Sequence, residues 1–385
     1  MKIAPILFLS DSVNTPTGLG RITKDLAVLT STLPEFRVGT MGRGGQYTTK
    51  LPFAQYSFDE NYDWGATLLE SVWDDFAGNV TGVIMTIWDP SRLSWFSNPM
   101  MGGRLEQFLR SGRFQRWGYF PVDSYGIGNK LTGQCIDTIA RYDRVLAYTL
   151  FGKQVLENSL NREVDWIPHG YNEKIFQPRD RVAGRGMLGV NNEDIVCGIV
   201  MTNQARKDWA TALGAIAFLK NEMPTIKLWA HIDVLERYWS LPALINDFGL
   251  TNTVILTFNG QYTSEQLSYL YSCCDITMLP STGEGWGFPL VESMACGVPA
   301  IHGNYGGGAE LLPSRDWLVD PVTERLDGQW NCVRPVWNPK DWADKLKQVL
   351  AEDVDKETCT NAVSHLMWSN LYVSCWRPWF LGGLK

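Results

Sequence analysis

The most constraining feature of this sequence is a rhythm. Short apolar runs are each followed by a turn of glycine, proline or small polar residues and then by a segment of helical periodicity. The pattern restarts in the second half. It specifies parallel strands covered on both faces by helices, an α/β architecture. In the first half, strands are predicted at residues 3–10, 83–88, 116–121, 144–148 and 165–168, with helices at 19–30 and 151–158. In the second half, strands are predicted at 195–201, 226–230, 254–258, 275–279 and 299–302. A helix at 209–221 is stopped by Pro224, and Thr263 with Gln266 forms a capping box that opens a helix to Tyr271. Asn338-Pro339 supplies a cap and first turn for a helix to residue 351. Residues 169–184, rich in glycine, proline and charge, read as a linker. A chain of 385 residues suits two cores of this kind. The expected fold is therefore two Rossmann-like doubly wound domains facing a central cleft, with ligands beyond the carboxyl ends of the strands.

Composition narrows the function. A net charge of −7, from 34 basic and 41 acidic residues, does not favour polyanions over the whole surface. Eight cysteines without a CxxC pair, and only four histidines, argue against structural zinc and against a disulfide framework. Asp11 comes too early for a signal peptide, and no apolar run nears the roughly 20 residues of a membrane span. These features lead to the expectation of a cytoplasmic protein with reduced thiols and no transmembrane segment. Seventeen tryptophans should be mostly core, with a few available to a sugar or another flat ligand.

Chemistry concentrates at the predicted strand ends. The stretch GEGWGFPLVESMACGVP, residues 283–299, places Glu284 in a glycine-rich loop and Glu292 in the first turn of a helix opened by Pro289 and closed by Gly297. Unsatisfied N–H groups at such a helix start suit an anionic or hydroxyl-rich ligand. Paired carboxylates suit a polyol such as a sugar or ribose. Alternatively, Glu292 caps its own helix and Glu284 is solvated. Arg206 and Lys207 follow another strand and precede a helix, where adjacent cations are unfavourable unless an anion such as a diphosphate is bound or water screens them. Gly18 and Gly20, in NTPTGLGR, permit close backbone approach to a ligand or simply a tight turn. Pro168-His169-Gly170 is explained by a turn alone. Asp89 and Asp123 end two further strands and could serve a site or cap turns. Residues 103–120, GRLEQFLRSGRFQRWGYF, could meet an anionic acceptor, or could pack their aromatics inward with the arginines in water.

GEGWGFPLVESMACGVPAI resembles the E-x7-E signature of retaining GT-B glycosyltransferases of the family-4 type (glycosyl transferases group 1). ARKDW resembles that family's Arg-Lys diphosphate clamp and TPTGLGR its first glycine loop. WIPHGYNEKIFQP resembles the segment crossing between its domains. The resemblance implies an N-terminal acceptor-binding domain (1–170), a nucleotide-sugar-binding domain (171–365) and a segment, 366–385, packing back on the first domain. It implies transfer of a hexosyl group from a nucleoside diphosphate sugar, UDP-sugar favoured, with retention and without a metal or cofactor. Glu284 would hold donor-sugar hydroxyls and Glu292 the ribose, while Arg206 and Lys207 would neutralise the leaving diphosphate. Gly18, Gly20, Asn203, Gly285, Gly287, Phe288, Pro289 and Leu290 would line the donor, and Tyr262 would face the base. Asp89 and Asp123 would share the work of a histidine found in many relatives, where this chain has Trp88-Asp89. A common Gly-Arg pair is replaced by Met201-Thr202-Asn203, so one expected cation is missing. His169, Arg113 and Arg116 are acceptor-side candidates. The acceptor itself, whether glycan, lipid, protein, small molecule or nucleic acid, is left open. Two other readings compete: a sugar-nucleotide epimerase on the same fold, or an inactive nucleotide-sugar binding module.

Overall fold

In the computed structural model, residues 3–45, 50–59, 63–97, 103–328 and 330–384 are described. The chain forms two units, Met1–His169 with Tyr372–Lys385, and Gly170–Leu371.

The first unit is built on seven strands: β1 (Ala4–Asp11), β2 (Phe36–Arg43), β3 (Ala54–Phe58), β4 (Gly82–Thr86), β5 (Phe114–Phe120), β6 (Arg144–Ala147) and β7 (Asp165–Trp166). They lie side by side in the order β3-β2-β1-β4-β5-β6-β7, and every pairing is parallel. Ile6 to Leu9 are fully buried, as expected for a central strand with helices on both faces. Strand order reverses between β1 and β4. Such a switch point leaves a crevice at the carboxyl edge.

The second unit repeats the plan with β8 (Ile195–Val200), β9 (Ile226–Ile232), β10 (Val254–Phe258), β11 (Ile276–Leu279), β12 (Ala300–Gly303) and β13 (Leu318–Val319). Their order is β10-β9-β8-β11-β12-β13, again parallel, with the switch between β8 and β11. A separate antiparallel hairpin, β14 (Thr323–Asp327) and β15 (Cys332–Val336), follows β13.

Local signals fixed many boundaries. Thr263 and Gln266 form the reciprocal capping box at the start of the helix Ser264–Ser272. The side chain of Asn338 caps the helix Pro339–Ala351. Gly297, at φ 79°, ends the helix Phe288–Ala295 in the left-handed region.

The division falls between His169 and Gly170, and the helix Arg181–Leu188 occupies part of the stretch read as linker. Residues 366–371 stay with the second unit, because Tyr171 and Trp368 exchange backbone hydrogen bonds with Leu366 and Tyr171 respectively. From Tyr372 the chain packs on the first unit. Phe380 meets Phe8 and Phe36 edge-on, and Arg144 stacks on Trp379 and Trp117 while donating to the Trp379 carbonyl at 2.8 Å. No helix among the described residues is long and apolar enough to cross a membrane.

Candidate functional site

The switch point of the second unit gathers the chemistry. The loop after β8 carries Arg206 and Lys207 in a short 3-10 turn, and the loop after β11 carries Glu284. Because β8 and β11 are neighbours, two loops 77 residues apart in sequence meet. Lys207 Nζ donates to Glu284 Oε1, and Arg206 Nη1 lies 3.0 Å from the same oxygen. Arg206 also donates to the Gly283 carbonyl at 2.7 Å, and its own carbonyl accepts from Thr282 N at 2.7 Å. Glu284 and Lys207 are 6% and 7% exposed. Arg206 keeps 30% of its side chain in solvent, so it is the outward-facing cation of the pair.

Burial alone would raise the Glu284 carboxyl, but Lys207 and Arg206 overcome it and hold the group well below the ordinary carboxylate range. The adjacent cations at a helix start are thus relieved from within the protein by one carboxylate. Asp208 caps the helix Trp209–Glu222 through Thr211 N at 3.2 Å and Oγ1 at 2.7 Å, from a left-handed φ of 39°. Burial raises its pKa; the Thr211 bonds and the charge of Arg325 pull the other way.

The chain then turns through Gly287, at φ 118° and ψ 57°, a conformation that a side chain would strain, into the helix Phe288–Ala295. Gly285, Phe288 and Pro289 are half-buried around this turn, and Leu290 is buried. Pro289 occupies the first turn, where its missing N–H costs nothing. Glu292 is 4% exposed, and its Oε2 accepts from the Tyr271 hydroxyl at 2.8 Å. Tyr271 packs edge-on against Trp229, whose Nε1 donates to Thr257 Oγ1. Tyr262 is half-buried just beyond β10. His302, fully buried, donates from Nδ1 to the Leu279 carbonyl at 2.6 Å; burial keeps the ring neutral. Its Nε2, a lone-pair acceptor in that tautomer, faces Gly308, where a Cβ would lie 2.5 Å away.

At the first unit's switch point, Asp11 closes β1. It accepts from Thr17 Oγ1 (2.9 Å), Arg43 Nε (3.3 Å) and Trp88 Nε1 (3.1 Å). These partners come from the glycine loop, the end of β2 and the end of β4. Thr17 in turn caps the helix Gly18–Thr30 by accepting from Gly20 N. Gly18 is exposed in the first turn. Gly20 is buried, and a Cβ there would sit 2.5 Å from the Ser12 carbonyl. The tight turn therefore accounts for Gly20.

Several expected site residues are placed otherwise. Asn203 is fully buried and its side chain is saturated: Nδ2 donates to the Val234, Leu235 and Trp239 carbonyls, and Oδ1 accepts from Trp239 N. It staples the loop after β9 and leaves nothing for a donor. His169 is fully buried rather than on an acceptor surface. The Tyr119 hydroxyl donates to the Ile167 carbonyl and accepts from His169 Nδ1 at 2.8 Å, and burial, helped by Arg21, keeps the ring neutral.

Residues 103–120 form the helix Gly103–Leu109 and strand β5, with Phe108, Phe114, Trp117, Tyr119 and Phe120 in the core. Arg113 and Arg116 lie at the amino edge of that sheet, opposite the ligand edge. Arg113 binds Asp74 and the Gly78 carbonyl, and Arg116 binds the Leu109 carbonyl over Phe96 and Phe114. Asp89, exposed, caps a turn through Ser91 N at 2.8 Å. Asp123, half-buried, accepts from the Ser124 hydroxyl at 3.0 Å. Both lie at the carboxyl edge of the first unit.

Sequence reading missed the partners across strands: Asp11, Tyr271 and His302, and the fact that Glu284 neutralises Arg206 and Lys207. Their separations in sequence carry no local signal.

Residues 236–364 match the family described as glycosyl transferases group 1. The chain is 25% identical over 211 residues to a D-inositol 3-phosphate glycosyltransferase of Paenarthrobacter aurescens (strain TC1), covering 52% of this chain and 48% of that one. It is 28% identical over 196 residues to the protein of the same description from Mycolicibacterium smegmatis, covering 51% and 42%. The chain spans about half the length of the curated relatives it matches. Among solved structures, a sucrose-phosphate synthase from Thermosynechococcus elongatus superposes with a TM-score of 0.74 at 16% identity, over 99% of this chain and 100% of that one. Anabaena HepE, in a complex with UDP and glucose, gives 0.74 at 17%, over 99% of each. The fold is GT-B.

Proposed function

We propose that the chain, whose residues 236–364 match the family described as glycosyl transferases group 1 and whose fold is GT-B, transfers a hexosyl group from a nucleoside diphosphate sugar, UDP-sugar favoured, to an acceptor, with retention and without a metal. The observation that carries this reading is the bracket of Glu284 by Arg206 and Lys207 at the β8/β11 switch point, beside the start of the helix Phe288–Ala295.

The chemistry follows from charge. Breaking a glycosyl–phosphate bond leaves negative charge on the diphosphate and develops positive charge on the sugar. Arg206 faces outward with donors to offer a phosphate, and the helix start adds N–H dipoles. Glu284, held ionised by its two cations, is an acceptor only and suits sugar hydroxyls. Its negative charge also lies near the carbon that becomes electron-poor. Glu292, oriented by Tyr271, suits the vicinal hydroxyls of a ribose. A HepE complex with UDP and glucose on the same fold supports the choice of nucleotide.

Incubation with UDP-, GDP- and ADP-sugars, with and without chelator, tests the reading through nucleotide release. Slow release from one class, unaffected by chelator, is expected. Interconversion of the sugar without release would mark an epimerase, and binding without turnover an inactive module. Arg206→Ala is expected to lower turnover about 100–1,000-fold, the cost of losing one donor aimed at developing charge, with little loss of stability because the side chain is 30% exposed. Glu292→Ala is expected instead to weaken nucleotide affinity, read as loss of the thermal stabilisation of about 2.7 kcal/mol that a ligand at 100 times its dissociation constant confers.

A further inference from the structure

Glu292 does not set its own direction. The last torsion of a glutamate is broad and does not by itself fix the carboxylate plane. Here Oε2 accepts from the buried Tyr271 hydroxyl at 2.8 Å, a donor carried by another element, the helix Ser264–Ser272. A hydrogen bond to an ionised group is among the stronger single contacts a side chain makes. Tyr271 is itself held on two sides. Its ring meets Trp229 edge-on, with centroids 5.5 Å apart, and Phe176 edge-on at 6.3 Å. Trp229, on β9, donates from Nε1 to Thr257 Oγ1 on β10 at 2.9 Å, and the same Oγ1 lies 2.8 Å from His231 Nδ1. Tyr271 and Trp229 are fully buried, and Thr257 and His231 are nearly so.

The hydroxyl is therefore fixed by packing and by hydrogen bonds behind it, and the carboxylate plane is set before a ligand arrives. Each carboxylate oxygen accepts more than one bond, so the Tyr271 contact does not exclude a ligand. A fixed carboxylate is selective in a way that a rotating one is not. Two hydroxyls on adjacent ring carbons can donate to its two oxygens together only when its plane lies along them. When one hydroxyl is missing, a rotating carboxylate recovers by turning toward the remaining hydroxyl or toward water. A carboxylate held at Oε2 cannot follow, and the missing donor is not replaced.

We propose that Tyr271 is a positioning residue that, acting through Glu292, makes the nucleotide pocket select ribonucleotides over deoxyribonucleotides. That selectivity rests on the proposed reading of Glu292 as the ribose contact.

The test titrates UDP, GDP and ADP, each with its 2′-deoxy and 3′-deoxy forms, by calorimetry into wild type, Tyr271→Phe, Glu292→Ala and the double variant. For the nucleotide that wild type binds best, the ribose form is expected to bind about 10–100-fold more tightly than either deoxy form, the worth of one hydrogen bond to a charged group. In Tyr271→Phe that preference should largely disappear, chiefly through weaker binding of the ribose form. The double variant should match Glu292→Ala, because the two residues act in series. The preference is a ratio taken within one protein, so a fraction that fails to fold lowers the number of sites and leaves the ratio unchanged. An equal loss of affinity for all forms in Tyr271→Phe, with the ratio kept, overturns the proposal, leaves Tyr271 a packing residue and leaves the ribose reading of Glu292 standing. A wild type that binds a nucleotide without discriminating, and a Glu292→Ala protein that binds it equally well, overturn the ribose reading and the proposal with it. Binding of no nucleotide by wild type overturns both along with the glycosyltransferase reading.

Discussion

Glu284→Ala is expected to lower the stability of the Gly170–Leu371 unit by about 3–5 kcal/mol in addition to ending activity. The substitution removes the carboxylate that meets the Lys207 ammonium, 8% exposed at its side chain, in the interior. For a unit of this size the midpoint of thermal unfolding falls about 2–4 °C per kcal/mol, so a drop of roughly 6–20 °C is expected. Glu284→Gln/Lys207→Met removes both charges at similar volume and is expected to recover most of that loss with no recovery of turnover. Calorimetry on the three proteins separates the structural from the chemical role. A Glu284→Ala protein that melts like wild type would show that the pair is solvated.

The pH dependence has a definite sign. Glu284 has a folded pKa below its unfolded value of about 4.3, so between the two the unfolded state binds more protons. Its contribution is complete above about pH 5 and is lost as pH falls below the ordinary carboxylate range. The double variant should therefore show a shallower loss of stability in acid than wild type.

Asp11→Ala is expected to cost the first unit about 3 kcal/mol, because one buried carboxylate serves Arg43, the Trp88 indole and the Thr17 hydroxyl. Asp11→Asn keeps an acceptor and should cost less. Hydrogen exchange locates the effect. In Asp11→Ala, amides of β1 and of the first turn of the helix Gly18–Thr30 should exchange faster, while those of β11 are unchanged. Equal exchange across β1 would mean that the three donors find other partners.

The fold was legible where the signal is local. Residues 283–299 carry their loop, first-turn proline and terminating glycine in one run, and the observed helix matches. The run Val254 to Phe258 is apolar at four of its five positions and bounded by turns, and β10 occupies it. Strands β2 and β3 escaped notice because arginines, glycines and polar residues interrupt FRVGTMGR, and AQYSF is a short, half-buried edge. The hairpin carries only a weak local signal, Gly328 at φ 58° just after β14, because Asp327 is still paired with Cys332 and no two-residue turn joins the strands. At the site, residue types at strand ends single out Arg206, Lys207 and Glu284, which the structure brings together. What they do to one another was not readable. Lys207 and Glu284 meet only because β8 and β11 are neighbours, and Asn203 looks like a ligand group until its four bonds are counted. Arg113 and Arg116 were misjudged because composition does not say which end of β5 they occupy.

The first unit is discontinuous, and that has a temporal consequence during synthesis. Residues 4–169 leave the ribosome first, yet the strip around Phe8, Phe36 and Trp117 waits for Trp379 and Phe380. At 5–20 residues per second the intervening Gly170–Leu371 takes roughly 10–40 s to emerge. The later-made unit, contiguous in sequence, can finish before the earlier one. During that interval the nascent chain presents an uncovered aromatic strip, the kind of surface on which a chaperone acts.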